Sequence, residues 1–299
     1  MKKLILFCAA ALCISAQAWA QNGKLLSQKQ VDLSKTPIWA KLTTNGTLKP
    51  AYAHLQKLDF YIIKYQSDGL EIPGIMVTPK KEGKYPTVIF NRGGNRTYGE
   101  LSLGAMIMIG SKLASEGYVL IGSNYRKQDE FGGADLNDVL NLFYTLNEVP
   151  KADTARIGMI GWSRGGMMTY LSLKHSKRIK TAVVGNGASD LFAEATFRPM
   201  MEKRVFAECI PNYEENKEAE LKKRSAVFWA DELDKNSSLL ILCSTKDKKV
   251  NPEQADKMAH ALTAVDYDFE LKKFETDHKF SDKLDVLNDT LIAWFSKRL

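Results

Sequence analysis

Residues 156 to 170 read RIGMIGWSRGGMMTY and set Ser163 midway between Gly161 and Gly165. Ile157, Met159 and Ile160 end an apolar run suited to a buried strand, and from Met167 onward the pattern suits a helix. A strand, a G-x-S-x-G and a helix in that order make a nucleophile elbow, the turn that presents a serine hydroxyl to an acyl carbon. The spacing has a steric reason. The serine there is held in a strained backbone conformation, so the residues two before and two after must be nearly free of side chain. Glycine and serine are also ordinary turn residues, and a serine ahead of a helix also serves as an N-cap. The catalytic reading therefore depends on a base and an acid elsewhere in the chain.

A serine hydroxyl needs an adjacent base, itself oriented by a carboxylate. The chain has four histidines. His54 precedes the elbow, His175 lies on the helix leaving Ser163, and His260 falls within a later helical stretch. His278, in ETDHKFSD, falls in a loop between the last strand and the last helix, where it can meet Ser163 at the carboxyl ends of parallel strands. Asp247, in CSTKDKKV, follows the strand ending at Ser244; without Ser163 and His278 it would read as a turn residue in a lysine-rich loop. Asp190, one strand earlier, is the alternative acid. The chain order Ser, acid, His and the loop position favour Asp247. A tetrahedral intermediate also needs backbone donors. The amide of Arg164 supplies one, and the loop NRGGNR (91 to 96), through Arg92 and Gly93, supplies the other; the same glycines would also suit a tight strand-to-helix turn.

The elements that must position these residues follow from hydrophobic periodicity. Residues 58 to 66 and 70 to 79 alternate apolar and polar, as an antiparallel pair at a sheet edge does. Strands at 85 to 90, 118 to 125, the RIGMIG run, 181 to 187, 238 to 244 and 268 to 274 then alternate with helices at 99 to 116, 132 to 147, after Ser163, 252 to 264 and 280 to 297. That rhythm predicts an α/β-hydrolase fold over residues 58 to 299, with a mostly parallel eight-stranded sheet covered by helices on both faces. Residues 21 to 57 read as a polar leader segment with some helix. The interval from about 188 to 236 is too long for a structureless loop and predicts a helical cap insertion. Trp162, Phe197 and Met201 are candidate substrate contacts, the last two on the inner face of that cap.

With these residues placed, the chain resembles the catalytic domain of the prolyl oligopeptidase family of serine peptidases from about residue 60 onward. The resemblance rests on RIGMIGWSRGG, FGGADLNDVL (131 to 140), RSAVFWADEL (224 to 233) and STKDKKVNPEQADKMAHAL, with His278 before the closing helix. It implies Ser163 as nucleophile, Asp247 as acid and His278 as base. There are three departures. The stretch ahead of the first expected strand is too short for the family's β-propeller. Arg164 stands where the family often has tyrosine after the nucleophile, and Arg92 stands where prolyl peptidases place an oxyanion-loop tyrosine. The expected function is that of a serine peptidase cleaving amide or ester bonds of a small peptide or ester substrate through an acyl-enzyme. The alternatives are a carboxylesterase, which the missing propeller favours, and a non-catalytic hydrolase-fold binding protein.

Composition bounds the setting. The opening MKKLILFCAAALCISAQAWAQ has a basic start at Lys2 and Lys3, an apolar run and an Ala18-Trp19-Ala20 cleavage pattern, the layout of a signal peptide over residues 1 to 20 and of an exported, periplasmic or secreted protein. No later stretch is apolar enough to cross a membrane. The net charge of +7 comes from 42 basic and 35 acidic residues, and these interleave, as in KEAELKKR, so no nucleic-acid surface is indicated. Cys209 and Cys243 remain after the signal, too few for a disulfide framework, and Cys243 within an apolar strand reads as a buried thiol. Cys and His show no metal-ligand spacing, and no cofactor is implied.

Overall fold

The computed structural model of the chain describes residues 22 to 299; the expected signal peptide lies outside the described residues. A nine-stranded sheet runs through the molecule. Its strands are β1 (Leu25–Val31), β2 (Leu58–Ser67), β3 (Leu70–Pro79), β4 (Tyr85–Asn91), β5 (Val119–Ser123), β6 (Ala152–Trp162), β7 (Ile179–Gly185), β8 (Ser238–Ser244) and β9 (Phe269–Phe274). Their spatial order is β1-β2-β3-β5-β4-β6-β7-β8-β9. The first three pair antiparallel at one side, β3 also pairs antiparallel with β5, and β4 to β9 pair parallel with one another. Helices α1 (Leu103–Ile109), α2 (Asp135–Leu140), α3 (Arg164–His175), α4 (Leu191–Phe197), α5 (Tyr213–Lys223), α6 (Glu253–Ala264) and α7 (Leu284–Arg298) account for the longer crossovers.

Central strands are apolar on both faces because both faces are covered. Val88 and Ile89 are adjacent in β4 and both fully buried, yet they belong to two different hydrophobic clusters, one on each side of the sheet. The period of two in a strand sends them apart. Ile160 and Met159 do the same in β6. Each such side chain contributes roughly 1.5–3 kcal/mol by burial, so the strands carrying the site are anchored from above and below. The fully buried phenol of β2 is satisfied: the Tyr65 hydroxyl lies 2.7 Å from Ser123 Oγ and 2.5 Å from the Asp138 carbonyl.

The sheet has one strand more than the eight expected. β1 falls inside the stretch read as a polar leader. It pairs antiparallel with β2 from Leu25 opposite Tyr65 to Val31 opposite Phe60, but its five central residues are all exposed. An edge strand that packs only its end residues, Leu25 and Val31, against the core shows no apolar alternation, so periodicity does not reveal it. The expected helix over 99 to 116 is shorter and broken at Gly110, where a side chain would run into Leu120. The interval from 188 to 236 is helical, as expected for an insertion, and includes α4 and α5. Among the described residues no propeller is present and no helix is long and apolar enough to cross a membrane. Cys209 and Cys243 are both buried free thiols.

Candidate active site

β6 ends at Trp162 and α3 begins at Arg164, which leaves Ser163 alone to make the turn. Its backbone sits at φ 59° and ψ −123°, a conformation costing about 1–3 kcal/mol for a residue with a side chain. The surroundings hold it there. Ser163 donates its amide to the Gly185 carbonyl at 2.9 Å, and its carbonyl accepts from Gly166 at 2.9 Å. A Cβ on Gly165 would collide with the Asn91 carbonyl, and one on Gly161 with the Gly165 carbonyl and Thr169 Oγ1. The two glycines are therefore required by backbone from β4 and α3, not by the turn alone.

Asp247 and His278 are brought together. His278 Nδ1 lies 2.6 Å from Asp247 Oδ2. The other carboxylate oxygen accepts the amides of Lys249 at 2.7 Å and Val250 at 3.1 Å, so the acid is gripped by its own loop. With Nδ1 engaged, Nε2 is the ring nitrogen left for a proton from Ser163. Both side chains line one cavity, although among the described residues no hydrogen bond joins them; such bonds commonly tighten only when substrate arrives. Asp190 is employed elsewhere: it caps α4 by accepting the Ala193 amide at 3.0 Å and pairs with Lys257 at 2.9 Å. Of the other histidines, His54 meets Ser111 Oγ at 2.8 Å, and His175 and His260 are exposed on their helices.

The loop bearing His278 is fixed through its backbone. Its carbonyl accepts from the Trp162 indole at 2.9 Å and from Asn186 Nδ2 at 3.0 Å. Asn186 also reaches the end of β8, donating to Ser244 Oγ at 2.7 Å and accepting the Ser244 amide at 2.7 Å. One asparagine thus ties the strand preceding Asp247 to the loop carrying His278. Sequence reasoning passed over it as part of TAVVGNG. The signal was a non-glycine residue between two glycines at a strand end, and Asn186 does adopt a left-handed φ of 46°, which asparagine tolerates better than most residues. Trp162 lines the cavity, but its indole also packs edge-on against Phe280 with centroids 5.5 Å apart. It therefore acts as a brace as well as the wall expected of it.

The loop of residues 91 to 96, expected to hold an oxyanion, is built on two buried arginines. Arg92 was expected to contribute its amide; its guanidinium has a second role, donating to the carbonyls of Asn124, Gly93 and Arg96 at 3.0, 3.1 and 2.8 Å and so wrapping the loop around itself. Gly93 abuts the serine: a Cβ there would lie 3.2 Å from Ser163 Cβ. Arg164, the first residue of α3, has an amide with no intrahelical acceptor. Its side chain donates to Asp129 at 2.6 Å, to Asp135, and to the Gly94 carbonyl at 3.2 Å. Tyr125 and Phe131 lie against its plane, with ring centroids 5.2 and 4.8 Å away. Burial pushes the Asp129 carboxyl up, but the Arg164 guanidinium and the amides of Arg96 and Phe131 outweigh that and hold it below the usual carboxylate range.

These residues surround a cavity of about 560 Å³, the size of a small-ligand site. Met201 lines it and Phe197 does not. The cavity wall takes Leu191 and Glu194 from α4 and Arg198 from just past its end, while Phe197, the last residue of α4, does not reach it. Phe197 is exposed, which corrects its assignment as a substrate contact. Glu194 is buried in the cavity wall, accepts from Gln254 Nε2 at 3.0 Å and lies 3.5 Å from Arg198. Burial pushes its carboxyl up to about 7, against the pull of Arg198 and with help from Asp247.

Two predictions follow from these charges. Arg164→Met leaves Asp129 and Asp135 buried without their cation and should lower the unfolding free energy by about 3–5 kcal/mol in urea titrations; a loss below about 1 kcal/mol would contradict the arrangement. Glu194 binds its proton more tightly when folded, moving from 4.5 to about 7. Its contribution to stability is complete below the unfolded value and is lost as pH rises through the folded one. Glu194→Gln should therefore gain about 2–3 kcal/mol relative to the parent between pH 5 and pH 8. A difference that stays constant over this range would refute the shift.

Comparison with known proteins places this arrangement. The chain is 24% identical to an acylaminoacyl peptidase of Pyrococcus horikoshii with a TM-score of 0.70, over 81% of this chain and 42% of that one. An acetyl xylan esterase from Paenibacillus sp. R4 has a TM-score of 0.66 at 15% identity, over 95% of this chain and 93% of that one. Both likenesses show the α/β-hydrolase fold. An uncharacterised peptidase of Bacillus subtilis, YtmA, is 30% identical over 143 residues, 46% of this chain and 54% of the relative. A second, YuxL, is 24% identical over 258 residues, 78% of this chain and 38% of the relative. The chain thus spans about half or less of the length of these curated relatives. The family model for the prolyl oligopeptidase family matches residues 113–299, from just ahead of β5 through α7, and the chain belongs to that family.

Proposed function

We propose that the chain is a serine hydrolase, a peptidase that cleaves a small amide or ester substrate through an acyl-enzyme on Ser163. The observation that carries the reading is the 2.6 Å contact between Asp247 and His278, opening onto the same cavity as the serine of a one-residue elbow. His278 Nε2 takes the Ser163 proton as Oγ attacks the carbonyl carbon. The amides of Arg164 and Gly93 receive the oxyanion, and Asp247 stabilises the imidazolium. The imidazolium then gives its proton to the leaving nitrogen or oxygen as the acyl bond breaks. Water repeats the sequence in reverse and frees the acid. The signal-peptide layout of residues 1 to 20 supports an exported enzyme.

One observation favours esterase activity as a second reading: the acetyl xylan esterase matches this chain nearly end to end, whereas the acylaminoacyl peptidase is more than twice as long as the matched part. Matched aminoacyl amides and esters separate the two, since a peptidase should cleave the amide at a rate comparable to the ester. Ser163→Ala should abolish hydrolysis of both. Asp247→Asn should lower kcat by roughly 10⁴-fold with folding intact, and Asp190→Asn should have little effect. Turnover that survives Ser163→Ala, or a larger loss from Asp190→Asn than from Asp247→Asn, would overturn the assignment.

A further inference from the structure

The cavity around Ser163 has two ends of different chemistry. Toward the insertion its wall includes Glu194, Arg198 and Lys249. Toward α1 and the first turn of α7 it is lined by Leu101, Ala105, Met108, Ile109, Leu284 and Leu287, with no charged side chain from either helix. The two ends also belong to opposite faces of the sheet. Leu101 and Leu287 sit in the same hydrophobic cluster as Trp162 and Phe280, and Ala188 and Leu191 in the other. Helix α1 and the start of α7 are held side by side, with Asn288 Nδ2 donating to the Met108 carbonyl at 3.4 Å and to the Leu284 carbonyl at 2.7 Å.

We propose that the apolar end, between α1 and α7, binds the leaving group, and that the preferred substrates carry an aliphatic or aromatic body on the leaving oxygen or nitrogen. This rests on the catalytic reading above. The assignment of sides comes from the imidazole. His278 is anchored on this side of the sheet by the Trp162 indole, and after residues 279 to 283, of which Lys279 also lines the cavity, the chain enters α7. The same imidazole must hand its proton to the departing atom, so the departing group lies on the imidazole side, against Leu284, Leu287 and α1. An ester alcohol and the amine of a peptide bond followed by an apolar residue present the same chemistry here.

The test holds the acyl group constant and varies what leaves. For N-acetylalanine esters, kcat/KM should rise at least tenfold from methyl to butyl, since a fully buried methylene is worth about fourfold. A parallel series of alanyl amides with glycine or leucine after the scissile bond should show the same direction, and a gain in one series alone identifies the source of the group. Ala105→Phe fills the apolar end and Met108→Lys places a charge at its half-exposed mouth; each should flatten the series, bringing the butyl-to-methyl ratio of kcat/KM to within about threefold of one. Thermal unfolding checks that both variants fold, and Met108→Lys, at an exposed position, keeps the test open if Ala105→Phe does not. The inference falls if the parent shows no leaving-group preference, if the variants depress all substrates equally, or if they change selectivity for the acyl group instead. Failure of the catalytic reading shows separately, as p-nitrophenyl acetate hydrolysis by the parent that persists in Ser163→Ala, and the inference then falls with it.

Discussion

Ser163 occupies a backbone conformation that a residue with a side chain adopts only where its neighbours leave no alternative, and most of the local sequence can be traced to that constraint. Gly161 and Gly165 have to be bare because backbone from β4 and α3 passes where their side chains would stand. The packing of α3 on the sheet holds the turn in place, since Met167 and Met168 are fully buried directly after it. The strain of about 1–3 kcal/mol is small beside the burial energy of the strands and helix that maintain it. What the strain provides is position: a hydroxyl standing clear of the sheet at the head of a helix whose first amide is unpaired.

Around that point the site is held mainly by polar contacts to backbone. Asp247 is fixed by two amides of its own loop, the His278 carbonyl by Trp162 and Asn186, and the oxyanion loop by Arg92 and Arg164. The grip on Asp247 is local to its loop, whereas the contacts of Trp162, Asn186 and Arg164 tie together segments 70 to 116 residues apart, in partly buried surroundings where hydrogen bonds hold firmly. The two arginines mark the departure from the tyrosines expected at these positions. The buried guanidinium of Arg164 is paired with Asp129, ahead of α2, and with Asp135, its first residue, whereas that of Arg92 is satisfied by backbone carbonyls. The charges that steady the loop have thus been chosen as a set, and the loop they steady is the one that must already point its amides inward when the oxyanion forms.

Much of this was legible in the sequence. The parallel strands are long apolar runs, the elbow has its glycines, and only one histidine lies in a loop at the right end of a strand. Asp247 and His278 were identifiable from chain order and are found in contact. Other features were not legible, for physical reasons. β1 buries almost nothing and is held by backbone pairing, so composition says nothing of it. Phe197 was placed on the inner face by its bulk, but it stands exposed at the last residue of α4, and Arg198, the first residue beyond the helix, takes the cavity wall instead. Asn186 and the Arg164 carboxylates act through tertiary contacts between segments 29 to 92 residues apart, and no local pattern announces such partners.

The claim on which the account depends is that Ser163 is a nucleophile activated by His278. The most direct measurement is covalent labelling with a fluorophosphonate, followed by mass mapping of the modified peptide. One adduct per chain is expected, on the peptide bearing Ser163, with labelling slowed severely when His278 is replaced by alanine. Labelling at another serine, no adduct on a chain that still hydrolyses substrate, or a labelling rate indifferent to His278 would contradict it.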